Sequence, residues 1–383
     1  MFAEMNNVQN NMYPMMNSFL ERSCQTVSDF LPKDILDESW KTPRRLLNLM
    51  KIMKEEIKPK LAQTPHEVVA SWGRVRLLKY DTKSPEKKCP VLMIPSIINK
   101  YYVLDLRPGQ SYIEYLVDNG IPVYLIDWGE PGPQDRYATM EDHILRWLGA
   151  AVRRACKDAG VEKIHLLGYC VGGTFAICYA ALRPKRVASL IALTAPVNFH
   201  DEGILSVWAS DPNFDVQKLA DAYGLIPAEI LQSSFSMMDP LSQKNKFTGL
   251  WDKLWDEKFV EKFLSLESWL NDNVDFPGAT YVRHIKELYR ENKLIKGTFE
   301  LDGKAVRLED IKCPVLTVIS TKDHIVPDDS ASILHELVSS EDKELLPLRG
   351  GHIGVTVGGR ARDNLWKSTK EWLEARPCTE VEA

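Results

Sequence analysis

Leu167-Gly168-Tyr169-Cys170-Val171-Gly172-Gly173 joins an apolar run, residues 163–169, to an Ala-rich apolar run, residues 174–182. The first reads as a short strand and the second as a helix. A side chain at their junction would sit on a sharp strand-to-helix turn. Gly168 and Gly172 flank it at the two places where a Cβ would collide with neighbouring backbone. The pattern Gly-x-Cys-x-Gly is a nucleophile elbow with cysteine where serine is usual. Such a turn aims the N–H groups of Val171 and Gly172 at the site from a helix N-terminus, where positive partial charge favours a thiolate and a developing oxyanion. Alone, the motif fits a buried cysteine at a Gly-rich turn equally well.

Outward from the elbow the same rhythm repeats. Residues 91–94 form an apolar run stopped by Pro95. Helical patterns at 110–118, 140–159 and 172–182 lead to strand patterns at 121–127, 163–169 and 187–195. Apolar strands alternating with amphipathic helices predict an α/β fold, with a mostly parallel sheet and helices on both faces. Right-handed crossovers place Pro95, Trp128, Cys170 and Pro196 along one edge, where open α/β sheets hold ligands. Residues 68–80 predict a hairpin around Gly73. The rhythm breaks between 197 and 299, a helical stretch rich in Trp, Phe, Tyr and Met, and resumes at 314–320, 330–338, 344–348 and 360–375. The expected organisation is an N-terminal helical appendage at 1–65, a core at 66–197 and 300–376, and an inserted, largely helical cap at 198–299. Most cap aromatics are expected in the cap's own core, with one or two lining a pocket. In the appendage, Leu46, Leu47, Leu49, Met50, Met53, Ile57 and Leu61 follow Thr42-Pro43 as the apolar face of a helix. That face is expected to pack on the main domain, the alternative being a partner protein or a hydrophobic surface.

With 383 residues, 44% hydrophobic and 26% charged, the chain has the composition of a soluble globular protein. A formal net charge of −5 gives no general attraction to nucleic acid or anionic membranes. No apolar run is long enough for a transmembrane helix, and the first residues lack a signal peptide's basic and apolar regions, so the expected location is cytoplasmic. The 7 cysteines are scattered without a Cys-x-x-Cys pair, which argues against a disulfide framework and a zinc site, and no metal is expected.

A cysteine nucleophile needs a base, and the base an orienting acid. Of the 8 histidines, His352 lies in Gly350-Gly351-His352-Ile353-Gly354 directly after a strand pattern. Asp323 follows another, in Thr321-Lys322-Asp323-His324. Cys170, Asp323 and His352 fall in the chain order of α/β-hydrolases, each after its own strand. His324 is a weaker base candidate, because adjacent side chains cannot readily bond one another and also reach a third group. Asp127 reads as a strand-end acid capping a loop. His143, His165, His284 and His335 read as structural. A second oxyanion donor is expected from the loop after residues 91–94, the N–H of Ile97 or Ile98.

Five segments resemble the polyhydroxyalkanoate synthases. They are the elbow, the loop Pro95-Ser96-Ile97-Ile98-Asn99-Lys100-Tyr101-Tyr102-Val103-Leu104-Asp105-Leu106, Leu125-Ile126-Asp127-Trp128-Gly129, Asp323-His324-Ile325-Val326-Pro327 and Gly350-Gly351-His352-Ile353-Gly354. The resemblance runs from about residue 71 to 372 and implies an α/β-hydrolase fold. It further implies an acyltransferase that polymerises (R)-3-hydroxyacyl-CoA, such as 3-hydroxybutyryl-CoA, with Cys170 carrying the acyl chain, His352 activating it and Asp323 assisting. A coenzyme A thioester is then the substrate and no cofactor is expected. The expected partners are the growing polyester and a small second synthase subunit, at the surface of polyester granules; assembly with further copies of itself is left open. The rival readings are a thioesterase or dienelactone-hydrolase-like enzyme, and a non-catalytic granule scaffold.

Overall fold

The structure is a computed structural model and describes residues 33–82, 84 and 88–378. The described chain forms two compact units, residues 60–240 with 266–378, and residues 33–59 with 241–265.

The larger unit is built on an eight-stranded sheet. In chain order its strands are β1 (Glu67–Trp72), β2 (Val75–Tyr80), β3 (Val91–Ile94), β4 (Val123–Asp127), β5 (Ile164–Tyr169), β6 (Val187–Leu193), β7 (Val315–Ser320) and β8 (Lys343–Leu348). Their order across the sheet is β1-β2-β4-β3-β5-β6-β7-β8. β1 and β2 form the expected hairpin, with Gly73 in the left-handed region at φ 62°. β2 meets β4 antiparallel, and every pairing from β4 to β8 is parallel. Every residue of β3, β4 and β5 is buried, whereas the edge strands β1 and β8 are partly exposed. This is why the central strands read as continuous apolar runs.

Helices α2 (Tyr112–Asp118), α3 (Gly149–Ala159), α4 (Val171–Leu182) and α11 (Asp328–Leu337) supply crossovers between parallel strands, and α13 (Lys367–Glu374) follows the last strand. The helix expected at 140–159 opens into a π-helical stretch, Asp142–Leu148, before α3. α4 is buried at every position from Val171 to Ala181, so it is apolar all round rather than on one stripe. Residues 198–240 and 266–299 belong to this unit and include α5 (Ile204–Ser210), α6 (Val216–Tyr223), α7 (Ala228–Met238) and α10 (Gly278–Arg283).

The smaller unit contains α1 (Lys33–Met53), α8 (Pro240–Lys253, counted from Leu241) and the first part of α9 (Glu257–Asn271). Its apolar centre is Ile57, Leu254 and Val260, flanked by Ile52, Leu250 and Leu264. Arg45 Nε donates to the Trp251 carbonyl at 3.0 Å, and buried Asn48 Nδ2 donates to the Leu254 carbonyl at 2.7 Å. α1 therefore pairs with residues from the middle of the span expected to be one cap, and that cap does not form a single body. Leu46, Leu49, Met50 and Met53 remain exposed.

Cys156, Cys170 and Cys178 are buried, as small core residues are expected to be. Cys89 and Cys378 depart from the expectation drawn from cysteine spacing. They are joined as a disulfide with their Cα atoms 5.1 Å apart, although 289 residues separate them. Sequence spacing carries no sign of a pair brought together by the fold.

Candidate active site

The elbow has the predicted form. β5 ends at Tyr169, α4 begins at Val171, and Cys170 between them has φ 55° and ψ −130°. Non-glycine residues rarely hold such a conformation, which costs on the order of 1–3 kcal/mol and persists only where surrounding structure enforces it. The enforcement comes from close packing. A Cβ on Gly168 would overlap the Cα of Gly173, and one on Gly172 would overlap the carbonyls of Ile94 and Pro95. The turn thus sits directly on the end of β3, and the Trp128 indole N–H donates to the Pro95 carbonyl at 2.9 Å.

Asp323 and His352 arrive from the ends of β7 and β8. His352 Nδ1 lies 2.7 Å from Asp323 Oδ2, with both residues buried. Asp323 Oδ1 accepts the N–H groups of Ile325 and Val326, each at 2.9 Å. Both carboxylate oxygens are therefore engaged, and the acid is fixed in place. Because Nδ1 is occupied, Nε2 is the nitrogen left for Cys170, whose side chain stands within hydrogen-bonding reach of the ring. Burial works against an imidazolium here, but the Asp323 carboxylate and the Cys170 side chain outweigh it and raise His352 to about 10. The residue enters as the first position of a short helix, α12 (His352–Val357), rather than in the expected open loop. Tyr169 stacks on its ring at 5.2 Å between centroids and 27° between planes. Sequence reading had no means of assigning Tyr169 this part.

His324 is exposed and stands outside the cluster. Asp127 accepts Arg76 Nε at 2.9 Å and the Gly129 N–H at 3.0 Å, so it holds the strand end and its loop. Of the expected oxyanion donors, Val171 is the first residue of α4, where helix N–H groups lack intrahelical acceptors. The Ile98 N–H is turned to Ser96 Oγ at 3.3 Å, which leaves Ile97 as the better of the two loop candidates, although Ile98 is the one on the pocket wall. That loop is clamped from behind: Trp269 Nε1 donates to the Lys100 carbonyl at 2.8 Å, and the Tyr102 hydroxyl to Asp272 at 2.7 Å.

Cys170 opens into a cavity of ≈ 390 Å³. Trp208, Phe214, Phe235, Phe276, Tyr281 and Tyr289 line it, many more aromatics than the one or two expected. His284 also lines it, against the structural role read from sequence. Its Nδ1 is buried without a hydrogen-bond partner among the described residues, and burial lowers the imidazole to about 4, leaving a neutral polar group in an apolar wall. Asp323 and His352 are not among the residues that line it.

A mostly parallel sheet with an elbow residue, an acid and a histidine after β5, β7 and β8 defines an α/β-hydrolase-fold protein. The matching family models agree: the alpha/beta hydrolase fold covers residues 90–358, and the Poly-beta-hydroxybutyrate polymerase (PhaC) N-terminus covers residues 37–116. The structure also resembles a thermophilic esterase from Thermogutta terrifontis, with a TM-score of 0.50 and 17% identity over 82% of this chain and 100% of that one, a likeness of fold alone. In sequence the chain is 35% identical to the poly(3-hydroxyalkanoate) polymerase subunit PhaC of Allochromatium vinosum, over 91% of this chain and 98% of that one. It is 36% identical to the PhaC subunit of Haloferax mediterranei over 83% of this chain, spanning 65% of that longer relative. The chain belongs to the poly(3-hydroxyalkanoate) polymerase family and is an acyltransferase. Among the described residues no helix is long and apolar enough to cross a membrane.

Proposed function

We propose that the chain polymerises (R)-3-hydroxyacyl-CoA, with 3-hydroxybutyryl-CoA as the reference monomer, and that Cys170 carries the growing acyl chain. The observation that carries this reading is the strained Cys170 on the floor of an aromatic-lined cavity, backed by the His352–Asp323 pair. His352, raised by Asp323 and the neighbouring sulfur, takes the Cys170 proton. The thiolate attacks the thioester carbonyl, the N–H groups of Val171 and Ile97 hold the oxyanion, and coenzyme A leaves with the proton of His352.

Having given its proton to coenzyme A, His352 is left as a neutral base. It takes the proton from the 3-hydroxyl of the next monomer, whose oxygen attacks the Cys170 thioester to form the ester. The lengthened chain returns to Cys170 by a second thioester exchange that releases coenzyme A. Asp323, with both oxygens engaged, orients and charges His352 rather than serving as the base for the hydroxyl. An apolar cavity suits the transfer, because water reaching the acyl-enzyme would end the chain.

The relatives' designation as polymerase subunits supports a second chain as partner, and their product supports a location at polyester surfaces. The test is product analysis of the purified chain with 3-hydroxybutyryl-CoA, with and without a second synthase subunit. Insoluble polyester formed in step with coenzyme A release supports the reading, whereas release of free 3-hydroxybutyrate alone refutes it.

A further inference from the structure

At the sheet edge opposite Cys170 lies a second cluster with ligand chemistry. Cys89 leads into β3, Cys378 follows α13, and His165 is the second residue of β5, beside Val91 in the sheet register. Their two sulfurs and an imidazole nitrogen lie within 4.8 Å of one another. His165 is fully buried, its Nδ1 sits 2.8 Å from Ser189 Oγ, and that oxygen also accepts Trp372 Nε1 at 3.3 Å. The Ser189 hydroxyl, which accepts the Trp372 N–H, can also accept from Nδ1, and in that Nδ1–H tautomer Nε2 carries a lone pair. The Arg376 carbonyl approaches the ring, but no hydrogen bond of acceptable geometry reaches Nε2, which is buried without a partner among the described residues. An orphaned imidazole nitrogen beside two sulfurs is costly unless something else engages it.

We propose that Cys89, Cys378 and His165 form a Zn²⁺ site when the two sulfurs are reduced, and that the disulfide is its oxidised, metal-free state. Zinc accepts thiolate and imidazole at about 2.3 Å and about 2.0 Å respectively, so its tetrahedral ligands stand roughly 3.5–4 Å apart. Reaching that spacing takes separation of the two sulfurs and little movement of the ring. A cleft of ≈ 550 Å³ that both cysteines line gives water access to the fourth position. The oxidant is a small disulfide, RSSR. With uptake of two protons it becomes two RSH as the two cysteine thiolates become one disulfide and Zn²⁺ departs. Either state fastens the segment after α13 to the start of β3.

The test uses the full chain with Cys170→Ala, so that the elbow thiol contributes no ligand. The protein is reduced with a phosphine, desalted without oxygen and titrated with Co²⁺, then with Zn²⁺ against a chromogenic chelator. One Co²⁺ per chain with a thiolate-to-cobalt charge-transfer band, displaced by Zn²⁺, is expected. Oxidised glutathione should abolish the band and remove two titratable thiols. Cys378→Ser, at a partly exposed position near the chain end, should lose the band and weaken Zn²⁺ binding by at least about tenfold. His165→Ala risks the fold, so Cys89→Ser serves as the second variant. Reduced protein that binds no metal, or a band and affinity unchanged in Cys378→Ser, would overturn the proposal.

Discussion

Cys170 holds its positive φ because Gly168 and Gly172 let β3, β5 and α4 close around it. Glycine adopts that conformation at little cost, whereas alanine keeps the strain. Cys170→Gly should therefore unfold in urea about 1 kcal/mol later than Cys170→Ala, with acylation lost in both; equal stabilities would mean that the conformation is unstrained. The raised imidazole makes a second prediction. Asp323→Asn replaces the carboxylate with a neutral amide, so the His352 titration followed by NMR should move down from about 10. Alkylation of Cys170 by iodoacetamide near neutral pH should slow in parallel, by about tenfold or more. An unchanged titration would show that Asp323 does not govern the charge on His352. Residues that follow strands were legible because each announces itself: Cys170 by its glycines, and Asp323 and His352 by the apolar runs before them. Tyr169 and His284 were not, because a ring against His352 and a ring on a cavity wall leave no local pattern.

Among the elements, β5 and α4 position everything else, and their junction tolerates no added volume. Gly172→Ala would push a methyl into the Ile94 and Pro95 carbonyls, which cannot yield without moving β3. A loss of at least about 2 kcal/mol in urea unfolding is expected, together with loss of Cys170 acylation; wild-type stability would contradict the close approach. The hairpin and the buried strands were readable because alternation and apolar runs are the direct imprint of one-sided and two-sided burial. The partnership of α1 was hidden. It depends on Arg45 and Asn48 reaching backbone carbonyls of Trp251 and Leu254, and a carbonyl is the same in every residue. The π-helical stretch before α3 and the Cys89–Cys378 pair escaped for a related reason, since both are settled by tertiary packing rather than by local spacing.

For the whole molecule, the buried histidines give stability an acid limb and an alkaline limb. Burial lowers His143 and His284 to about 4, so as pH falls from about 6.5 the unfolded chain takes up protons that the fold refuses. Each withdraws up to about 3 kcal/mol by pH 4. His352 works in the opposite sense: its contribution is full below about 6.5 and is lost as pH rises through about 10. Urea midpoints should therefore peak near neutrality and fall on both sides, and Cys170→Ala should shift the alkaline limb to lower pH; a midpoint flat from pH 4 to 10 would contradict both assignments. Polymerisation by this route requires one covalent bond, between Cys170 and the acyl group. Intact-protein mass spectrometry after brief mixing with 3-hydroxybutyryl-CoA should show the wild-type chain heavier by 3-hydroxybutyryl units in thioester linkage at Cys170, and the Cys170→Ala chain unmodified. An adduct that persists in Cys170→Ala, or a wild type that releases coenzyme A without ever carrying the acyl group, would contradict it.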